Sequence, residues 1–101
     1  MEPMERLEKM NTKENLWIYI LILLKKSKLY AWKIPDLIEK NFNFKPGKIT
    51  PYRVLYSLER AGLVKSYHEE RKRIYEITEK GMEELEKAKK FYQKLIELIE
   101  K

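Results

Sequence analysis

The stretch TPYRVLYSLERAGLVKSYHEERKRIYEIT, residues 50–78, decides how this chain is read. Thr50 can accept hydrogen bonds from the free amides of a first helical turn. Pro51 suits the first helical position, where a missing N–H costs nothing. Gly62 then offers the left-handed residue on which helices commonly close. Between them, Pro51, Val54, Leu55 and Leu58 repeat at helical spacing and form one apolar side. Tyr52, Arg53, Tyr56, Ser57 and Arg60 fall on the other. After Gly62 the composition changes. Leu63–His68 and Lys72–Ile77 hold Tyr67, Ile74, Tyr75 and Ile77, residues suited to strands, and only Glu69-Glu70-Arg71 separates them. A tight, charged hairpin is expected. Thr78 then caps a last helix expected to run to the C-terminus.

Upstream of residue 50 the pattern is helical. Residues 1–10 form a charged lead-in with Leu7 and Met10 at helical spacing. Asn11 and Glu14 stand at the spacing of a capping box, with Asn in place of Ser or Thr. A helix over about Thr12–Lys26 follows, apolar nearly all round and so expected to be covered on several sides. Ser27–Ala31 reads as a turn, and a second helix is expected over about Trp32–Asn41. Pro35 is tolerable there only in the first turn. Asn43–Ile49, with Pro46-Gly47, links it to the helix at Thr50. The order is helix, helix, helix, hairpin, helix. This predicts a mainly α fold with a small β-hairpin, a winged helix-turn-helix with a long C-terminal dimerisation helix. Residues 1–78 would form the DNA-binding module with its N-terminal helix, and residues 79–101 the dimerisation helix, all within one domain.

Composition narrows the chemistry. Cysteine is absent, so disulfides and thiolate zinc sites are excluded. One histidine, His68, cannot build a multi-histidine metal site. Glutamates sit beside lysines at helical spacing, which reads as solvated helix surface rather than paired catalytic acids. No cofactor and no enzymatic activity are expected. The longest apolar run, Leu16–Leu24, is too short to span a membrane, and the glutamates before it do not suit a signal peptide. A cytoplasmic protein without a membrane partner is the expectation.

The charge is uneven. The net charge is +6, yet residues 41–75 alone carry eight basic and three acidic side chains. That surplus points to a polyanion-facing surface. A lysine-rich surface kept for solubility is the plainer alternative. On the polyanion reading, Tyr52, Arg53, Tyr56, Ser57 and Arg60 would line the major groove of double-stranded DNA. Lys45 and Lys48 would hold phosphates, and Arg71, Lys72 and Arg73 would reach the backbone or an adjacent groove from the hairpin tip. Thr50 lies at the same edge, its hydroxyl available only if it is not spent as a cap. Equally, Tyr56 could pack on the domain, Arg60 could pair with Glu59 or Glu69, and Glu69 and Glu70 reduce the charge of the hairpin tip.

These segments resemble one family. Residues 50–55 (TPYRVL) and 58–64 (LERAGLV) are similar to the recognition-helix segment of PadR-like regulators. Residues 73–81 (RIYEITEKG) resemble that family's second wing strand and the start of its last helix, and residues 29–34 (LYAWKI) the start of its second helix. The resemblance covers about residues 15–85, and its shorter pieces also occur in other winged-helix families, MarR-like ones included. Ala31 stands where the family usually has glycine, and Arg53 where it usually has proline. The resemblance implies a homodimer that binds palindromic operator DNA, often as a repressor, sometimes relieved by an effector. A winged-helix adaptor for protein partners, without DNA binding, is the alternative.

Gly81, Leu85, Ala88, Tyr92, Leu95 and Ile99 are spaced by 4, 3, 4, 3 and 4 residues, the pattern of a heptad seam. Leu85, Ala88, Tyr92, Leu95 and Ile99 are therefore expected at a dimer interface, with packing on the first helix of the same chain as the alternative. Trp17 and Trp32 could line a cavity between subunits for a small-molecule effector, or serve as packing.

Overall fold

The computed structural model describes residues 1–101. Its helices are α1 (Pro3–Met10), α2 (Leu16–Lys26), α3 (Ile34–Phe42), α4 (Thr50–Arg60) and α5 (Glu79–Glu100). Its strands are β1 (Leu29–Tyr30), β2 (Val64–Glu69) and β3 (Lys72–Ile77). The protein is a mainly helical winged helix-turn-helix with a long C-terminal helix. Short 3₁₀ turns precede α2 and α3, over Lys13–Asn15 and Ala31–Lys33.

α2 is the axis of the core. Leu16, Ile20, Leu21, Leu23 and Leu24 are buried, as an apolar helix covered on several sides requires. Ile34 and Ile38 of α3, Leu55 and Leu58 of α4, and Val64 and Tyr75 of the sheet close around it. Leu85 of α5 and Trp17 pack against the same cluster. Fully burying each aliphatic side chain contributes about 1.5–3 kcal/mol, so this cluster outweighs any surface ion pair in holding the fold.

The sheet has the order β1-β3-β2, both pairings antiparallel. β1 corrects the expected turn at Ser27–Ala31. Leu29 and Tyr30 pair with Tyr75 and Ile74, covering the free edge of β3 for two residues.

The N-terminal segment also differs from expectation. The lead-in is itself a helix, α1, and the chain breaks before α2 instead of running helically from Thr12. Asn11 does not cap α2. Its Nδ2 donates to the Leu7 carbonyl at 2.9 Å, and its backbone N–H donates to the same oxygen at 3.0 Å, so it closes α1. No side chain caps α2. Thr50 is likewise not a cap. Ile49 takes that position, and no side-chain hydrogen bond is made there, which leaves the Thr50 hydroxyl free. Thr78 does cap α5, accepting from the Gly81 N–H at 3.1 Å while its hydroxyl donates to the Gly62 carbonyl at 2.7 Å.

Candidate nucleic-acid interface

α4 is held at both ends by local chemistry. Pro51 is buried in its first turn, and Pro46 is buried in the loop that leads to it. At the far end Gly62 adopts φ +78, its N–H donates to Glu59 O at 3.0 Å, and the Leu63 N–H donates to Leu58 O at 2.9 Å. This paired arrangement is the Schellman closure, and it fixes where β2 departs. With Leu55 and Leu58 buried beneath it, α4 turns its other side to solvent.

Tyr52, Arg53, Tyr56, Ser57 and Arg60 are all exposed, Tyr56 by 60%. The Arg60 guanidinium lies 5.8 Å from the centroid of the Tyr56 ring, so Arg60 pairs with neither Glu59 nor Glu69. A ring face orients a guanidinium without neutralising it, so the charge stays available to an anion. Arg53 makes no ion pair either. Lys45 and Lys48 are exposed at the start of the helix. They share a cleft of about 320 Å³ with Tyr52, Pro35, Asp36 and Glu39, so two acids stand beside these two lysines.

The hairpin turns on Glu70 and Arg71, at φ 50 and 66, between the paired residues Glu69 and Lys72. Two consecutive positive φ values make a turn of the kind that matches strand twist, normally occupied by Asn-Gly. Neither residue relieves the Cβ crowding, so each is strained by about 1–2 kcal/mol. Arg71 and Lys72 are exposed at the tip. Arg73, also exposed, reaches back along the surface to α4: its Nη1 donates to Ser66 Oγ at 3.2 Å and lies 3.7 Å from Glu59 Oε1, while Ser66 donates to Glu59 Oε2 at 2.6 Å. Arg73 thus ties the hairpin to α4, with its charge partly met by a carboxylate.

Sequence reasoning missed a set of groups on the outer face of the sheet, because they come from segments far apart in the chain. Lys28 lies 5.8 Å from the Tyr67 ring centroid, and Tyr30 stacks on Trp32. The neighbouring Tyr67 phenol, and after it Glu69 and Glu76, hold the Lys28 ammonium above its ordinary pKa, with desolvation opposing them. Trp32 does not share a site with Trp17. Trp17 lines a cleft of about 400 Å³ with Val54, Leu58 and Leu63, rimmed by Arg53, Ser57 and Glu84.

The seam on α5 divides. Gly81 is buried, and a Cβ built there would stand 2.2 Å from the Leu63 carbonyl oxygen. Leu85, Ala88 and Tyr92 face Ile18 and Ile22 of α2 across a cleft of about 620 Å³. Tyr92 donates to Asn11 Oδ1 at 2.8 Å, an 81-residue link within one chain. Tyr19, packed edge-on between Phe42 and Phe44, donates to the Asn11 carbonyl, and burial, with Tyr92 nearby, raises its pKa. Beyond Tyr92, Leu95 and Ile99 are exposed, as are Phe91, Ile96 and Leu98.

The model of the transcriptional regulator PadR-like family matches residues 20–87. No curated protein matches the sequence significantly. A transcriptional regulator from Clostridium thermocellum is 26% identical and superposes with a TM-score of 0.74, covering 82% of this chain and 87% of its own. A PadR-like transcription factor from Bacteroides fragilis has the same fold at 22% identity and TM-score 0.74, with 93% and 95% of the two chains covered. A winged-helix DNA-binding protein from STIV shares the fold at 22% identity and TM-score 0.71, covering 84% and 94%. No helix is long and apolar enough to cross a membrane.

Proposed function

The chain belongs to the PadR-like family of transcriptional regulators, and on that premise we propose that it represses transcription as a homodimer bound to a palindromic operator in double-stranded DNA. The observation that carries this is the outward side of α4, where Arg53, Tyr56 and Arg60 stand exposed with no carboxylate partner, beside a hairpin whose tip shows Arg71 and Lys72. Arginine is the side chain best matched to guanine edges in the major groove, and lysines preceding the helix suit phosphates. Lys45, Lys48 and Thr50 would position the helix, and Tyr52, Arg53, Tyr56, Ser57 and Arg60 would face the groove. Arg73 serves the site by holding the hairpin on Glu59.

The dimer follows from the uncovered end of α5. Leu95 and Ile99, with Phe91, Ile96 and Leu98 beside them, present apolar side chains that a second copy would bury, and that copy would also cover Leu85, Ala88 and Tyr92 in the open cleft on α2. Two recognition helices spaced by about 34 Å would then meet successive major grooves. An effector, if one acts, fits the Trp17 cleft, because Arg53 and Ser57 at its rim belong to α4.

Selection of bound duplexes from a random pool tests the proposal, and a palindromic consensus is expected. Arg53→Ala should weaken binding to that consensus by about 1–3 kcal/mol and relax the preference at one base position. Equal affinity for every duplex, before and after the change, would refute base reading. A protein with no duplex affinity even at low salt would instead favour a protein-binding adaptor, a reading that Glu69 and Glu70 at the hairpin tip fit.

A further inference from the structure

The stacked aromatic pair on the outer face of the sheet lies where the recognition helix and the hairpin tip would leave a gap. The antiparallel register of Tyr30 on Ile74 means that the chain leaving β1 runs toward Lys72, the tip end of the hairpin. The turn Ala31–Lys33 therefore sits at that end of the sheet. It continues directly into α3, whose Pro35, Asp36 and Glu39 share a cleft with Lys48 and Tyr52 at the start of α4. Trp32 and Lys33 thus occupy the ground between the wing and the leading end of the recognition helix.

The chemistry there is specific. Trp32 is 51% exposed and stacks on Tyr30 with ring centroids 6.4 Å apart at 18°. The Lys33 Nζ lies 5.9 Å from the Tyr30 centroid and 5.5 Å from that of Trp32. The Lys72 Nζ, from a strand about forty residues away, lies 5.6 and 5.8 Å from the same two rings. Two ammonium groups are drawn over one aromatic pair, and neither has a carboxylate within ion-pair distance. The closest acid by register is Glu69, which lines a groove with Lys28 and Lys33 and pairs with neither. Asp36 lies one helical turn further on.

Like charges gathered in this way repel unless an anion joins them, and ring faces offset only part of that repulsion. The rings also restrict two flexible side chains that would otherwise lose rotamer freedom when they meet a ligand. We propose that Tyr30, Trp32, Lys33 and Lys72 form a phosphate clamp for the DNA strand that passes between the wing and α4. The rings hold the ammonium groups in place, and Lys33 and Lys72 donate to non-bridging phosphate oxygens. This rests on the duplex-binding function proposed above and adds a contact that carries affinity and register but no base information.

The test compares the intact protein with a Lys33→Gln, Lys72→Gln double variant. Each is titrated against the selected consensus duplex and a scrambled duplex over a series of salt concentrations. The double variant should bind both duplexes more weakly, on the order of tenfold, by a similar factor for each. Its plot of log affinity against log salt should be shallower by about two, because each phosphate contact contributes a slope of about 0.9. In a Trp17→Phe background, where Trp32 is the sole tryptophan, duplex binding should change its fluorescence. Wild-type affinity and slope in the double variant, or a loss confined to the consensus duplex, would overturn the clamp while leaving the function intact. Failure of the unaltered protein to bind either duplex would overturn both.

Discussion

The two halves of α5 carry one continuous pattern and have opposite surroundings. From Thr78 to Leu85 the helix is part of the domain: Thr78 caps it, Gly81 touches the Leu63 carbonyl, and Leu85 reaches the core. From Phe91 onward, Leu95, Ile96, Leu98 and Ile99 are exposed, and the helix extends the molecule to a longest dimension of 52 Å. The same apolar repeat therefore closes the core along one half of the helix and stands uncovered along the other. Periodicity reports that a face is apolar, and the rest of the fold decides what covers it.

The largest expected effect breaks the first half. In a helix interior, alanine ordinarily stabilises relative to glycine by about 1 kcal/mol. At Gly81 the sign reverses. The new methyl would stand 2.2 Å from a backbone oxygen and 2.7 Å from Ile77 Cγ1, and the backbone cannot retreat as a flexible side chain can. Gly81→Ala should cost about 3 kcal/mol and lower the melting temperature by more than about 10 °C. An unchanged or raised melting temperature would show that α5 sits further from the β2 junction than described.

The second test spares the fold and removes the uncovered face. Leu95→Lys with Ile99→Lys changes positions exposed by 42% and 76%, so the circular dichroism and melting of the dilute protein should barely move. On the proposed homodimer, light scattering should show a dimer for the unaltered protein and a monomer for this variant. Affinity for a palindromic operator should fall by about a hundredfold or more, since the second half-site then binds independently. A dimer that survives both charges would place the association surface elsewhere.

What could be read from the residues follows the same division between local and distant causes. Gly62 and Thr78 mark their boundaries correctly, and Pro51 falls one residue inside its own, because capping and left-handed closure depend on a few neighbouring residues. The Thr50 and Asn11 assignments fail for a related reason. Each was a competent cap by type, but Asn11 is claimed by α1 behind it and Ile49 already takes the place ahead of Thr50. β1 is two residues long and exists only because β3 has a free edge to cover. At the candidate interface, the outward side of α4 was legible from helical spacing. The reach of Arg73 toward Glu59, and the gathering of Tyr30, Trp32, Lys33 and Lys72, depend on tertiary register that no local pattern encodes.

The smallest predicted effect tests the boundary between the two halves of α5. Tyr92 belongs to the repeat that suggested a partner chain, yet its hydroxyl is spent on Asn11 of its own chain. Asn11 also closes α1 and accepts from Tyr19, so one residue fastens three helices. Tyr92→Phe keeps the ring and the apolar contact and deletes this single donor. The loss should be about 1 kcal/mol, a fall of about 4–8 °C in melting temperature, because the Asn11 oxygen is left partly buried without its partner. The Tyr19 pKa should fall slightly, since Tyr92 is the lesser of the two causes that raise it and burial remains. Both changes should be independent of protein concentration, and the dimer constant should hold. If the variant instead weakens association and its loss of melting temperature grows on dilution, Tyr92 works across the dimer, and the boundary between the closed and open halves of α5 lies a turn nearer Leu85.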